Sequence, residues 1–270
     1  MLLPNPKNVA FSLVELSIVL VILGLLTGGV LAGQSLIRAA ELRSVTSDAQ
    51  KFKTAIFSFR DKYMENPGDM RNATKFWGAA DGGDGLNWDC RQAQTNDQRT
   101  CNGNGDGFIR QHPDLENTRL WQHLSNSGLI AGNYIGTQVP YITSCAFAQP
   151  GCAFPGSKLS PNIWVIQAQP TTSYLWTSYA NRNLLFLSNV VSTAPWFSVE
   201  QGFNFIPEEA WNIDTKMDDG RPGTGSVASG RYGYCTTGAW NDPSETARVA
   251  AEYRLSSRNM DCIVVFADFM

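Results

Sequence analysis

Residues 11–34 read FSLVELSIVLVILGLLTGGVLAGQ, an apolar run interrupted by one charged side chain, the Glu15 carboxylate. The run is long enough for a membrane-crossing helix, and too long and uniform for an ordinary buried core helix. An acid inside such a span costs on the order of 2.5–3.5 kcal/mol at mid-depth and less near an end. A simple anchor has no use for it, so Glu15 is expected to meet a partner. From Leu36 the pattern turns amphipathic. Leu42, Val45, Ala49, Phe52, Ile56, Phe59 and Tyr63 recur at alternating spacings of three and four, which is one helical face. Arg43, Asp48, Lys51, Lys53, Arg60, Asp61 and Lys62 lie elsewhere on the helix. Asn66-Pro67-Gly68-Asp69 ends it, because Pro cannot continue the hydrogen-bond ladder. One helix from Phe11 to about Glu65 follows, roughly 80 Å long at 1.5 Å per residue. The spacing also suits a coiled coil, but the seam is aromatic and short, which favours a stripe packed on a sheet. Gly24, Gly28 and Gly29 interrupt the upper helix at about 1 kcal/mol each in propensity.

Residues 70–160 form a long connecting region with Gly/Asp-rich stretches at 79–85 and 102–107. A helix is predicted over Asp114–Ser127, ended by Gly128. Strands are predicted at Ile163–Gln169, Leu184–Ser188 and Cys262–Phe266, rich in Val, Ile, Phe and Trp. A further segment, Glu208–Ile213, precedes the turn-rich Asp218-Asp219-Gly220-Arg221-Pro222-Gly223. The fold class is α+β.

Ala10-Phe11-Ser12-Leu13-Val14-Glu15 resembles the processing site of type IV prepilins and type II secretion pseudopilins. The resemblance covers roughly the first 35 residues. It implies a prepilin peptidase cutting between Ala10 and Phe11, N-methylation of Phe11, and use of Glu15 in filament assembly. It implies a leader at 1–10, a transmembrane and assembly helix at 11–35, an amphipathic half at 36–66 and a head at 67–270. The implied fold is pilin-like, a long helix packed on an antiparallel sheet with a long loop insert. The implied partners are the peptidase and methylase, other pilin or pseudopilin subunits, and the inner membrane. The precursor would be a single-pass inner-membrane protein, its head periplasmic or extracellular. The family prefers Gly before the cut, where this chain has Ala10. Many members carry Pro where this chain has Ala32, so any melting of the helix would rely on the glycines.

Two other readings of the amino terminus remain open. Val30-Leu31-Ala32 would serve as a secretory cleavage site, although Glu15 would then lie inside the apolar core and Lys7 is the only basic side chain before it. A plain single-span anchor is the other. Counting Lys7 against Arg38 and Arg43 does not favour a cytoplasmic amino terminus.

Charged residues make up 17% of the chain and the formal net charge is −3, without a basic tract, so nucleic acid is not an expected partner. Cys90, Cys101, Cys145, Cys152, Cys235 and Cys262 all follow the apolar run, and an even number there fits an oxidising compartment. Proximity favours Cys90–Cys101 and Cys145–Cys152, leaving Cys235–Cys262. Asn102, Asn104, Asp106, Gly107 and Ile109 match positions of a calcium loop, but Pro113 stands where a bidentate Glu belongs. Asp214, Asp218 and Asp219 form a second acidic candidate for calcium. His112 and His123 flank a Trp-bearing segment, not a recognisable nucleophile, so no enzyme is expected. Eight tryptophans exceed ordinary usage and support a rival reading, a secreted or anchored Trp-rich, disulfide-bonded adhesion module.

Overall fold

The computed structural model describes residues 12–80, 98–110, 115–136, 152–159, 162–168, 179, 182–189, 200–230, 234–238 and 244–270. In chain order the elements are α1 (Leu13–Tyr63), α2 (Thr74–Trp77), α3 (Glu116–Asn126), β1 (Ile163–Ala168), β2 (Asn183–Asn189), β3 (Glu200–Gln201), α4 (Pro207–Met217), β4 (Val227–Ser229), α5 (Glu245–Val249) and β5 (Val264–Phe266). The architecture is α+β. Two compact units meet within α1, one ending at Arg43 and the other running from Ser44 to Met270.

In the first unit, α1 is apolar and solvent-exposed from Leu13 onward. By length and composition it can cross a membrane, a test that an amino-terminal signal sequence also passes. Ser12 starts the helix, its Oγ accepting Val14 N–H at 3.3 Å.

In the second unit, the stripe of threes and fours is the buried face of α1. Val45, Ala49, Phe52, Ala55, Ile56 and Phe59 are all inside. The Phe52 ring meets Trp121 of α3 edge-on at 4.8 Å and Trp164 of β1 at 5.7 Å. The stripe therefore packs on a strand, as its aromatic seam predicts, and also on a helix. Arg60 and Lys62 occupy the last turn, where positive charge suits the helix dipole. Met64, at φ 57, closes α1 two residues before the breaker Asn66-Pro67-Gly68. Gly68 has φ +86, and a Cβ there would run into the Glu116 carbonyl oxygen. No other residue lets the chain leave α1 so close to the start of α3.

The sheet is antiparallel in the order β1-β2-β5-β4, with β3 pairing the end of β2. Ile163 pairs with Ser188 and Ala168 with Asn183 across β1 and β2, and Leu185 pairs with Phe266 on β5. The three predicted strands are present: β1 is one residue shorter at its end, β2 one residue longer at each end, and β5 two residues shorter at its start. α3 starts two residues later than predicted and ends one residue earlier, at Asn126, with Ser127 as its cap and Gly128 turning the chain away at φ +75. The Glu208–Ile213 segment lies inside α4. Pro207 fits its first turn, and the Glu209 carboxylate accepts Ile206 N–H at 3.2 Å.

Residues Glu116–Leu124 of α3 are buried all round, including Arg119, Gln122 and His123. The polar ones are held from several directions. His123 Nδ1 accepts Gly68 N–H at 2.9 Å, and its Nε2 lies 3.0 Å from Thr100 Oγ1. Its ring stacks on Trp77 at 5.2 Å. Burial, aided by the Arg119 charge, pushes the His123 pKa down to about 3, so the imidazole is neutral and structural.

Candidate functional site

Two places carry unusual chemistry: the exposed start of α1 and an acidic corner at the end of α4.

Glu15 lies in the first turn of α1, and its Oε2 accepts Ser12 N–H at 2.9 Å. Ser12 Oγ caps the same turn at Val14 N–H, so Ser12-Leu13-Val14-Glu15, a Ser followed three residues later by Glu, forms a variant of the capping box. That signature was present in the sequence and gives the carboxylate a local task as well as any intermolecular one. Ala10 and Phe11 lie outside the described residues. Downstream of Glu15, Cβ atoms added at Gly24, Gly28, Gly29 or Gly33 would meet nothing within 4 Å. Among the described residues, nothing requires these glycines in place of better helix formers.

The acidic corner is built from α4 and the turn after it. Carboxylate oxygens of Asp214, Asp218 and Asp219 lie within 4.8 Å of one another. Asp214 Oδ2 accepts the Tyr253 hydroxyl at 2.8 Å, and Oδ1 accepts Gly220 N–H at 3.1 Å. Asp218 Oδ2 accepts Ser226 N–H and, at 3.0 Å, Val227 N–H, which ties the turn to β4. Asp219 Oδ1 accepts Arg221 N–H at 2.8 Å. Burial raises the Asp214 pKa to about 7. The bonds from Tyr253 and Gly220 work against that rise, and the neighbouring Asp219 and Asp218 charges add to it. The Tyr253 hydroxyl also reaches Ser229 Oγ at 3.3 Å, and burial lifts its pKa well above the ordinary value. Sequence reading found the three aspartates but not Tyr253 or Ser229, which only the fold brings to them.

Beside this corner Cys235 and Cys262 form a disulfide, with Cα atoms 5.0 Å apart. Cys101 and Cys152 are also disulfide-bonded. Their predicted partners, Cys90 and Cys145, lie outside the described residues.

The 102–110 loop spends its side chains locally. Asn102 Oδ1 accepts Thr74 N–H at 3.0 Å, Asn104 Oδ1 accepts Asp106 N–H at 2.9 Å, and Asp106 Oδ1 accepts Phe108 N–H at 2.9 Å. The Arg110 guanidinium pairs with the other Asp106 oxygen, where a cation would have to approach. Two buried carboxylates fix the loop from below. Asp69 accepts Gly105 N–H at 2.5 Å and Gly107 N–H at 2.8 Å, while Glu116 accepts Asn104 N–H at 3.2 Å and Arg110 N–H at 3.1 Å. The arrangement is a pinned turn. His112 and Pro113 lie outside the described residues.

Of the tryptophans, Trp121 and Trp164 are fully buried in the core, Trp77 is half-buried on His123, and Trp211 is exposed on α4. The chain matches no protein-family model, no curated protein and no solved structure.

Proposed function

We propose that this chain is a structural subunit, a pilin, minor pilin or pseudopilin, inserted as a precursor, cleaved between Ala10 and Phe11, methylated at Phe11 and assembled through α1. The observation that carries the reading is an exposed apolar helix with a single carboxylate in its first turn. Cleavage would place a cationic amino group four residues before Glu15. At about 4 Å and an effective dielectric near 20, a pair between that group and Glu15 of a neighbour is worth roughly 4 kcal/mol before desolvation. The glycines support the same reading. Gly24 and Gly28, like Gly29 and Gly33, are four apart, the spacing that lets apolar helices approach closely.

The rival is a secreted or anchored adhesion module, favoured by exposed Trp211. Intact-mass analysis of the mature protein separates the two. Cleavage after Ala10 with one added methyl group supports the subunit reading, and cleavage after Ala32 sinks it.

Calcium belongs, if to either candidate, to Asp214, Asp218 and Asp219. Three clustered carboxylates are hard oxygen donors, whereas Arg110 opposes a cation at the 102–110 loop. The residues able to hold the ion would be those three aspartates, and its role would be to neutralise their mutual repulsion.

A further inference from the structure

Charge is unevenly divided along the chain. Residues 51–75 hold six Lys and Arg against three Asp and Glu, whereas residues 201–270 hold six against ten. Two helical stripes, half-buried at Lys53 and Arg60 on α1 and exposed on α4, concentrate that difference.

On α1, Lys53, Phe57 and Arg60 follow at spacings of four and three, which aligns them on one face, and Met64 follows just past the helix end. That face lies about a third of a turn round from Phe52 and Ile56. Phe57 is 40% exposed and Met64 86%. The Phe57 ring has Lys53 Nζ 6.0 Å from its centroid and the Arg60 guanidinium carbon 5.9 Å from it, within cation–π range. On α4, Glu208, Trp211 and Thr215 align in the same way, and Asp219 follows just past the helix end. Trp211 is 38% exposed, and Glu208 and Asp219 are exposed beside it. Glu208 pairs with the exposed Arg258, a surface contact worth little on its own. Each stripe therefore presents an aromatic ring between charges of one sign, cations on α1 and carboxylates on α4.

Neither stripe complements itself, since like charges would meet across a two-fold axis. They complement each other, and contact between unlike faces of identical chains builds rings or open filaments instead of closing as a two-fold dimer. We infer that α4 of one copy packs on the Lys53–Met64 stripe of the next. Trp211 meets Phe57 and Met64, Lys53 and Arg60 face Glu208 and Asp219, and the rings exclude water from the charges around them. This contact rests on the subunit reading above and adds to it a second interface, independent of Glu15.

The test uses full-length chain in cells that assemble it. Lys53→Glu with Arg60→Glu, and separately Glu208→Lys with Asp219→Lys, should each lower sheared filament about tenfold. All four together should recover most of the loss, because the charges again oppose. A Phe57→Cys, Trp211→Cys chain should give a covalent ladder on oxidation, with a 57–211 cross-linked peptide by mass spectrometry, and neither single variant should. Unchanged yield from both reversals overturns the inference. So does the absence of the 57–211 cross-link in filaments of the double-cysteine chain, which also decides the matter if a charge-reversed chain fails to accumulate. Wild-type filaments that require Glu15 but lack this cross-link would sink the contact and leave the subunit reading standing. Absence of any wild-type filament would sink both.

Discussion

The two stretches of α1 share a secondary structure and differ in where their apolar atoms go. Val45, Ala49, Phe52, Ala55, Ile56 and Phe59 are withdrawn from water, Phe52 against Trp121 and Trp164. From Leu13 to Ile37 the apolar side chains are exposed. The later stretch is satisfied within one chain, and its sequence shows it, with most of its charges away from the buried face and Asp48 alone at that face's edge. The earlier stretch has almost no charges, and among the described residues a Cβ added at its glycines would meet nothing. A helix apolar all round finds its surroundings in lipid or in other helices. The lesson is that a periodic apolar stripe marks a partner inside the chain, whereas an unbroken run marks one outside it.

The largest expected effect sharpens that contrast directly. Phe52→Ala should destabilise the folded protein by about 3–5 kcal/mol, because it leaves a cavity between Trp121 and Trp164. Leu20→Ala, in the exposed stretch, should change unfolding of the same detergent-solubilised chain by less than about 0.5 kcal/mol. Chemical denaturation followed by tryptophan fluorescence measures both. A comparable loss from Leu20→Ala would mean that the early stretch packs within its own chain.

A smaller effect concerns the acidic corner. The folded Asp214 pKa of about 7 lies above the ordinary carboxylate value of 3.8, so between those two pH values the folded protein holds a proton that the unfolded chain releases. The Asp214 contribution to stability should therefore fall as pH rises from about 4 to 7 and level off above, opposite in sign to that of the buried neutral His123, whose contribution rises with pH. Asp214→Asn should remove the falling contribution, so that the variant gains stability relative to the parent as pH rises, while keeping an acceptor for Tyr253. Melting temperature against pH for the two proteins checks the sign. A slope unchanged by Asp214→Asn would place the titration elsewhere.

Sequence pattern revealed α1, the α3 region, three strands and the Cys235–Cys262 pair because each depends on local spacing, composition or a pairing left by elimination. It did not reveal that Arg119, Gln122 and His123 are buried. Their polarity reads as surface until Gly68 and Thr100 arrive to hydrogen-bond the imidazole and Trp77 to stack on it. The Asn102–Asp106 loop looked like an ion site because the same short polar side chains that ligate calcium also close Asx turns. Only Asp69 and Glu116, distant in sequence, show which of the two it is. The helix at Pro207 was legible in its Pro-Glu-Glu start. The Ser12–Glu15 capping box was equally legible, and it bears most on function because it gives Glu15 a local task.

That local task makes a graded substitution at Glu15 the most direct measurement. Glu15→Gln keeps the length of the side chain and an oxygen that can accept Ser12 N–H, but removes the charge. Glu15→Leu removes both. Filament content, membrane level and intact mass should be measured in the same cells. The expected result is near-complete loss of filaments in both variants, with processing and membrane level retained, because the cationic amino group of a neighbour loses its counter-charge in either case. Wild-type filament yield from Glu15→Gln, with loss only in Glu15→Leu, would contradict it. Glu15 would then be a helix cap, and assembly would not depend on its charge.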